Sequence, residues 1–119
     1  MKIEPLCRIR DIYRCINDFE VDFYNKYGVK LNEGMLLCSL LKLGKCSSGQ
    51  IAELLGLTSS NSSKVIISAE RKGLIERVVG EDDKRQMFFI LTNVGRECIN
   101  KIHCQANEIV QLIEEIRKI

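Results

Sequence analysis

The sequence predicts a mostly α-helical chain with one small β-hairpin, an α+β fold. Apolar residues recur every three or four positions along most of the chain, which is the period of an amphipathic helix. The pattern alternates only after Gly73, and glycines or hydroxyl-bearing caps separate the helical segments. The 119 residues, 45% of them hydrophobic, suffice for one core. We therefore expect a single domain spanning residues 1–119.

The first two helices are predicted over residues 6–27 and 32–43, with Gly28 ending the first of them. Pro5 suits a first helical turn. The second helix is apolar on most sides, so it should be the central buried helix. The apolar stripe of the first helix consists of Leu6, Ile9, Ile12, Tyr13, Ile16, Phe19 and Phe23.

A pair of shorter helices follows. Ser47 and Gln50 have the spacing of a capping box, with serine at the N-cap and glutamine three residues later. Gly56 ends this helix, and Thr58 is a good N-cap for the next. Two helices joined by a tight glycine-containing turn indicate a helix-turn-helix; an ordinary helical hairpin is the alternative. Three side chains of the first helix should face inward: Ile51, Leu54 and Leu55.

The second helix of this pair, Thr58 to Gly73, begins with an unusual run of short polar residues. Such side chains compete for backbone hydrogen bonds and are poor helix-interior residues, so we interpret them as a contact surface. The alternative is a serine-rich loop that caps a shorter helix. The polar run is Ser59, Ser60, Asn61, Ser62, Ser63 and Lys64, and the apolar side appears only at Val65, Ile66 and Ala69.

The hairpin is predicted from two apolar strands, residues 74–79 and 86–91, around a charged turn at residues 80–84. A hairpin that directly follows a helix-turn-helix is a wing. Asp83, Lys84 and Arg85 lie together at its tip, where Asp83 can orient Arg85 through a charge-assisted bond. An oriented arginine suits a narrow, electronegative minor groove, whereas the alternative is a solvated turn.

The last helix is predicted to start at the cap Thr92 and to run unbroken to the C-terminus. Its roughly 27 residues would extend about 40 Å, more than a domain of this size can cover. Part of its apolar seam should therefore contact the first helix or another chain, and we predict a dimer. The seam consists of Ile99, Ile102, Ala106, Ile109, Ile113 and Ile116.

Composition excludes several classes of protein. The formal net charge of +2 means that any basic surface is local. A signal peptide and an apolar membrane-spanning segment are both lacking, so we expect a cytoplasmic protein without membrane association. The six cysteines include no CxxC pair and the one histidine, His103, is isolated, so we expect reduced thiols, no metal and no cofactor. The sequence has no nucleophile beside a base and no phosphate-binding loop, so we expect no enzyme.

The order of these elements resembles the MarR family, the multiple antibiotic resistance regulators, which are dimeric winged-helix transcription factors. The resemblance covers roughly residues 28–102 and implies an N-terminal dimerisation helix (1–31), a winged helix-turn-helix (32–91) and a C-terminal dimerisation helix (92–119). The matching runs are IAELLGLTSSNSSKV, ERKGLIERV, EDDKRQMFFILT and LTNVG.

By this resemblance, the partner is a pseudo-palindromic double-stranded DNA operator. Asn61 suits an adenine edge and Lys64 suits guanine or phosphate, while Ser47 and Ser48 can bind phosphate at a helix N-terminus. The implied DNA contacts are Ser47, Ser48, Ser59, Ser60, Asn61, Ser63, Lys64, Asp83, Lys84 and Arg85. The implied homodimer interface is Ile9, Ile12, Ile16, Ile102, Ile109, Ile113 and Ile116.

The resemblance also implies a repressor that a signal releases from DNA. The signal is either a small aromatic ligand, bound between the dimerisation helices and the winged domain, or oxidation of a cysteine such as Cys7. The sequence departs from the family pattern at Ser62 and Ala69, which are smaller than usual, and at Ser68, which replaces a basic residue. A protein-interaction module without DNA binding is the alternative, favoured by the acidic wing residues Glu81 and Asp82.

Overall fold

The computed structural model describes residues 4–119, as six helices and a two-stranded antiparallel sheet. The first four predicted helices and the predicted hairpin are present, and the mostly α fold with a small hairpin is confirmed. The elements in order are α1 (Glu4–Tyr27), α2 (Leu31–Leu43), α3 (Ser48–Leu55), α4 (Ser59–Arg71), β1 (Ile75–Val79), β2 (Met87–Leu91), α5 (Asn93–Cys104) and α6 (Ala106–Lys118).

Helix α2 is the central helix, as its composition predicts. Leu36, Leu37 and Leu40 are fully buried and lie in one core with residues of every other element except α6. Gly34 permits this packing, because a Cβ at that position would lie 3.2 Å from the Phe23 ring and 3.9 Å from Ile102. Helices α1 and α5 can therefore both pack closely against α2.

The wing has one more strand partner than the sequence predicts. Strands β1 and β2 pair from Ile75 opposite Leu91 to Val79 opposite Met87. Phe89 also exchanges backbone hydrogen bonds with Cys46, at N···O distances of 2.8 and 3.2 Å. This bridge fixes the loop before α3 against the base of the wing. A single residue pair has no period, so the sequence pattern gives no sign of it.

The prediction of one unbroken C-terminal helix is wrong. The helix breaks at Gln105, which has φ −116° and ψ 28°, and α6 then folds back along α1. Side-chain contacts join Tyr27 to Gln105, Lys26 to Glu108 and Cys15 to Glu115, so the two helices run antiparallel. Because of the break, α6 packs its apolar side against α1 of the same chain.

The fold therefore divides the isoleucines of the predicted dimer interface. Ile102 is only 4% exposed and packs in the core, so assigning it to a dimer interface is wrong: its surface is already covered within one chain. Ile9 and Ile113 remain exposed, at 51% and 46%. Ile12, Ile16, Ile109 and Ile116 are half-buried.

Leu54 is also exposed, contrary to the expectation that it faces inward. Helix α3 has only eight residues and buries one narrow face, at Ile51, with Leu55 half-buried beside it. No helix within residues 4–119 is long and apolar enough to cross a membrane.

Candidate nucleic-acid interface

Helices α3 and α4 form a helix-turn-helix whose two N-termini are both capped. The Ser47 hydroxyl accepts a hydrogen bond from the Gln50 N–H at 3.2 Å, and the Gln50 side chain accepts one from the Ser47 N–H at 2.8 Å. Gly56 then adopts a left-handed conformation (φ 66°), and the Thr58 hydroxyl accepts from the Asn61 N–H at 3.1 Å. The predicted capping box and N-cap are confirmed, and the serine run lies within α4 instead of a loop.

Helix α4 presents its polar residues to solvent and its small residues to the core. Ser62 and Ala69 are fully buried and Ile66 nearly so, which leaves the opposite side free of packing. The short inner side chains allow α4 to lie close to its neighbours. The predicted contact residues Ser59, Ser60, Asn61, Ser63 and Lys64 are all exposed together at the N-terminal end.

An ion pair joins the C-terminal half of α4 to the wing. The Nε and Nη2 atoms of Arg77 donate to Glu70, at 2.9 and 3.0 Å, and the Arg77 guanidinium lies 5.6 Å from the centre of the Phe89 ring. The hydrogen bonds to Glu70 raise the pKa of Arg77 above its usual value. Helix α4, called the recognition helix below because it is the second helix of the helix-turn-helix, is therefore linked to the wing by a planar, directional contact.

At the wing tip, Asp83 orients Arg85 as the sequence predicts. The Asp83 carboxylate accepts hydrogen bonds from the backbone N–H of Arg85 at 2.9 Å and from its guanidinium at 3.2 and 3.4 Å. These bonds, the backbone one first, lower the pKa of Asp83. The Arg85 side chain remains 92% exposed, so it is oriented and accessible. Lys84 is exposed beside it.

Half of the six basic side chains between Thr58 and Leu91 are already neutralised within the chain. Lys72, Arg77 and Arg85 form ion pairs with Glu33, Glu70 and Asp83. Lys64, Arg71 and Lys84 form none within the part of the chain that the structure describes. A nucleic-acid contact here would therefore gain a modest electrostatic contribution and would depend on groups that read bases.

The structure adds Lys45 to the candidate interface. Its ammonium lies 4.8 Å from the centre of the Phe88 ring on β2. Lys45 precedes the Ser47 cap by two residues, so it extends the basic surface between α3 and the wing. The sequence gives no sign of this placement, because it depends on the bridge between Cys46 and Phe89. Ser48 is exposed at the same end of α3, and Ser47 is half-buried by its capping role.

The cysteines are dispersed and all are free thiols. Cys46 is buried, Cys7 is half-buried in the first turns of α1, and Cys104 is exposed. Burial, followed by the charges of Glu115 and Asp18, raises the pKa of Cys15, which disfavours a reactive thiolate there. Among residues 4–119, no three His, Cys, Asp or Glu side chains are grouped as a metal site would require.

A capped helix-turn-helix followed by a hairpin with an oriented arginine defines a winged helix-turn-helix protein. The model of the MarR family matches residues 27–86, which is half of the chain, from the end of α1 to the wing tip. The chain belongs to the MarR family, a family of transcription regulators.

Relatives agree with this assignment. The chain is 22% identical over 107 residues to the uncharacterized HTH-type transcriptional regulator YwaE of Bacillus subtilis, covering 87% of this chain and 63% of YwaE. Among solved structures, the S. aureus MepR–DNA complex matches with a TM-score of 0.77 at 20% identity, covering 97% of this chain and 84% of MepR. Bordetella bronchiseptica BpsR, whose DNA binding is regulated by 6-hydroxynicotinic acid, matches with a TM-score of 0.67 at 20% identity, covering 92% and 78%.

Proposed function

We propose that this protein is a dimeric, sequence-specific DNA-binding regulator that represses transcription until a small ligand releases it. The observation that carries the proposal is the exposed polar face at the N-terminal end of α4, because base edges in a major groove are read by such side chains at such a position. The solved DNA complex of MepR, which shares the fold, supports DNA binding as the function.

Each part of the surface has a chemical role in this proposal. Asn61 reads an adenine edge and Lys64 reads guanine or a phosphate, with Ser59, Ser60 and Ser63 beside them. Lys45, Ser47 and Ser48 bind phosphate at the start of α3, and Arg85, oriented by Asp83 and flanked by Lys84, enters the adjacent minor groove.

The chain is proposed to dimerise through α1 and α6, which flank the winged unit (residues 32–91). Residues 1–31 and 92–119 thus serve as the dimerisation segments, with α5 also contributing to the core. Leu6, Ile9 and Tyr13 are exposed on α1, and Val110 and Ile113 on α6. Exposed apolar side chains on two adjacent helices favour burial against a second copy.

An apolar cavity of about 380 Å³ lies between α1, α2, α5 and α6, with Phe19, Phe23 and Met35 among its lining residues. Its volume suits a small aromatic molecule, and the DNA binding of BpsR is regulated by such a compound. We propose this cavity as the ligand site. Oxidation at Cys7 is the competing signal; loss of operator binding on peroxide treatment that a Cys7→Ser variant abolishes would establish it in place of the ligand.

The test is binding to the duplex upstream of the protein's own gene, measured by fluorescence anisotropy. Replacing Lys64 and Arg85 by alanine together should weaken binding by about 100-fold, since each contact contributes roughly 1–3 kcal/mol. The Arg96→Ala, Lys101→Ala protein, which lacks two exposed cations of α5, is the matched control and should bind as the parent does. Parent-like affinity in the Lys64→Ala, Arg85→Ala protein would reject the proposed surface.

Salt dependence separates this function from a protein-interaction module without DNA binding. A DNA-binding protein loses affinity as salt rises, because each neutralised phosphate releases counterions. If binding to duplex DNA is undetectable at low salt, the interaction module becomes the better reading of this fold.

A further inference from the structure

A carboxylate is buried behind the face that is proposed to contact DNA. Glu33, near the start of α2, is only 2% exposed. One of its oxygens accepts hydrogen bonds from the Lys30 N–H at 2.8 Å and the Lys72 ammonium at 2.7 Å, and the other accepts from the Ser68 hydroxyl at 2.8 Å. Both oxygens are bonded and the charge is paired, as burial of a carboxylate requires.

These bonds connect α2 to α4. Ser68 lies in the C-terminal half of α4 and Lys72 is its C-cap residue, while Lys30 immediately precedes α2. The Lys72 ammonium also lies 5.4 Å from the centre of the Tyr24 ring on α1. The recognition helix is therefore held against α2 and α1 by directional polar contacts.

The partners of Glu33 share a side of α4 with the proposed base contacts. Asn61, Lys64, Ser68 and Lys72 follow one another at steps of three and four residues, which places them in one stripe along the helix. One cavity of about 270 Å³ has Glu33 and Ser68 as well as Asn61 and Lys64 among its lining residues. The stripe therefore connects Ser68 and Lys72, which bond to Glu33, with Asn61 and Lys64, which are the proposed base contacts.

Two of the three buried side chains of α4, Ser62 and Ala69, are short, so apolar packing against rotation of α4 comes mainly from Ile66. A hydrogen bond, in contrast, weakens steeply when its angle or length changes. Any rotation of α4 about its axis that moves Asn61 and Lys64 would also stretch the bonds from Ser68 and Lys72 to Glu33.

We propose that Glu33 is a positioning residue of the DNA interface, which sets the rotation of α4 through Ser68 and Lys72 and thereby aims Asn61 and Lys64 at the base edges. The inference rests on the proposed DNA-binding function and assigns to it a residue that never touches DNA. Burial raises the pKa of Glu33, but the bonds from Lys30, Lys72 and Ser68 together lower it further, so the ionised form that makes these contacts is favoured.

The test compares Glu33→Gln and Ser68→Ala with the parent on two duplexes of equal length, a preferred sequence selected from random duplexes and a scrambled version. Ser39→Ala is the matched control, because the Ser39 hydroxyl bonds only to the Met35 carbonyl within α2. All affinities are measured over the same series of salt concentrations and below the unfolding temperature of every variant.

Both variants should lose about tenfold in preference for the selected duplex over the scrambled one, the usual effect of one misplaced base contact. Ser68→Ala changes no charge, so its salt dependence should equal that of the parent. A residue with only a structural role would lower the unfolding temperature and leave the preference of the folded protein unchanged. Should Glu33→Gln not fold, Ser68→Ala decides alone.

Two negative results differ in meaning. A parent protein that prefers its selected duplex, together with variants that keep the same preference, would overturn the role of Glu33 alone. A parent protein with no preferred duplex would overturn the proposed function itself, and with it this inference.

Discussion

Ser62 is an unsatisfied polar residue in the first turn of α4. Its side chain is 1% exposed, and its hydroxyl has no hydrogen-bond partner among residues 4–119. A buried hydroxyl that loses water without gaining a partner raises the free energy of the folded state. The unpaired Ser62 hydroxyl therefore lowers the stability of α4, the helix that contacts DNA in our proposal.

Replacing Ser62 by alanine should increase the free energy of unfolding by about 1 kcal/mol, because it removes the unsatisfied hydroxyl and improves helix propensity. Urea unfolding followed by circular dichroism measures the change. Ser63→Ala is the matched control: Ser63 is exposed on the same turn, so only the small propensity gain should appear. A less stable Ser62→Ala protein would show that the hydroxyl has a partner that this structure does not contain.

Glu33 makes a pH-dependent contribution to stability. Its pKa is lower in the folded chain than the ordinary value of 4.5, so folding favours the ionised form. The contribution is complete above the unfolded-state pKa and is lost as pH falls through the folded-state pKa. Lys30, Lys72 and Ser68 bond to this carboxylate, and Glu20 lines the same cavity.

At neutral pH, Glu33→Gln should lower the free energy of unfolding by about 2 kcal/mol, the usual value of hydrogen bonds to a charged group. The difference from the parent should shrink as pH falls below 4.5. Urea unfolding at a series of pH values measures it. A difference that is constant from neutral to acid pH would contradict the ionised, hydrogen-bonded state of Glu33.

Among the elements, α5 packs on the start of β1 through a contact that only glycine permits. A Cβ at Gly95 would lie 2.0 Å from the Leu74 carbonyl oxygen, which belongs to the backbone and cannot rotate away. Thr92, whose hydroxyl caps α5 at the Gly95 N–H, also donates to the Gly73 carbonyl. The end of the recognition helix and the start of the last helical segment are thus joined.

Gly95→Ala should destabilise the fold by roughly 2–4 kcal/mol, since the backbone must shift to relieve the overlap. Gly49→Ala is the matched control, because a Cβ at Gly49 meets only the Ser47 hydroxyl at 4.0 Å in an α-helix. That substitution should stabilise the protein by about 0.5–1 kcal/mol. Thermal unfolding compares the two, and equal effects would contradict the close approach of α5 to β1.

The elements that a local pattern encodes were predictable from the sequence. The caps at Ser47 and Thr58 and the wing with Asp83 and Arg85 each depend on residues within a few positions of one another. Other features depend on contacts between residues that are distant in sequence. They are the packing of α6 on α1 after the break at Gln105, the bridge between Cys46 and Phe89, and the bonds of Glu33 to Ser68 and Lys72. No local period records such contacts, so the orientation of the recognition helix required the structure.

At the scale of the whole molecule, the chain is elongated, with principal extents of 58 × 32 × 21 Å. The exposed apolar residues Ile9 on α1 and Ile113 on α6 are proposed to meet a second copy. Replacing either by glutamate would place a charge in that interface, so we expect dissociation to monomers. Val94→Glu is the control, because Val94 is similarly exposed but lies in the first turn of α5, outside the proposed interface on α1 and α6.

Sedimentation equilibrium measures this outcome. The parent and Val94→Glu should be dimers, and Ile9→Glu and Ile113→Glu should be monomers that remain helical by circular dichroism. Dimers of unchanged affinity in both interface variants would place the contact elsewhere on the chain.

The central claim is that α4 and the wing read a specific DNA sequence as a symmetric pair. Selection of bound duplexes from a random pool, followed by sequencing, tests it most directly. The proposal predicts a pseudo-palindrome whose half-sites lie about 10 base pairs apart, one helical turn of DNA. It also predicts that the Lys64→Ala, Arg85→Ala protein enriches no such sequence. A pool that stays random after selection with the parent protein would contradict the claim.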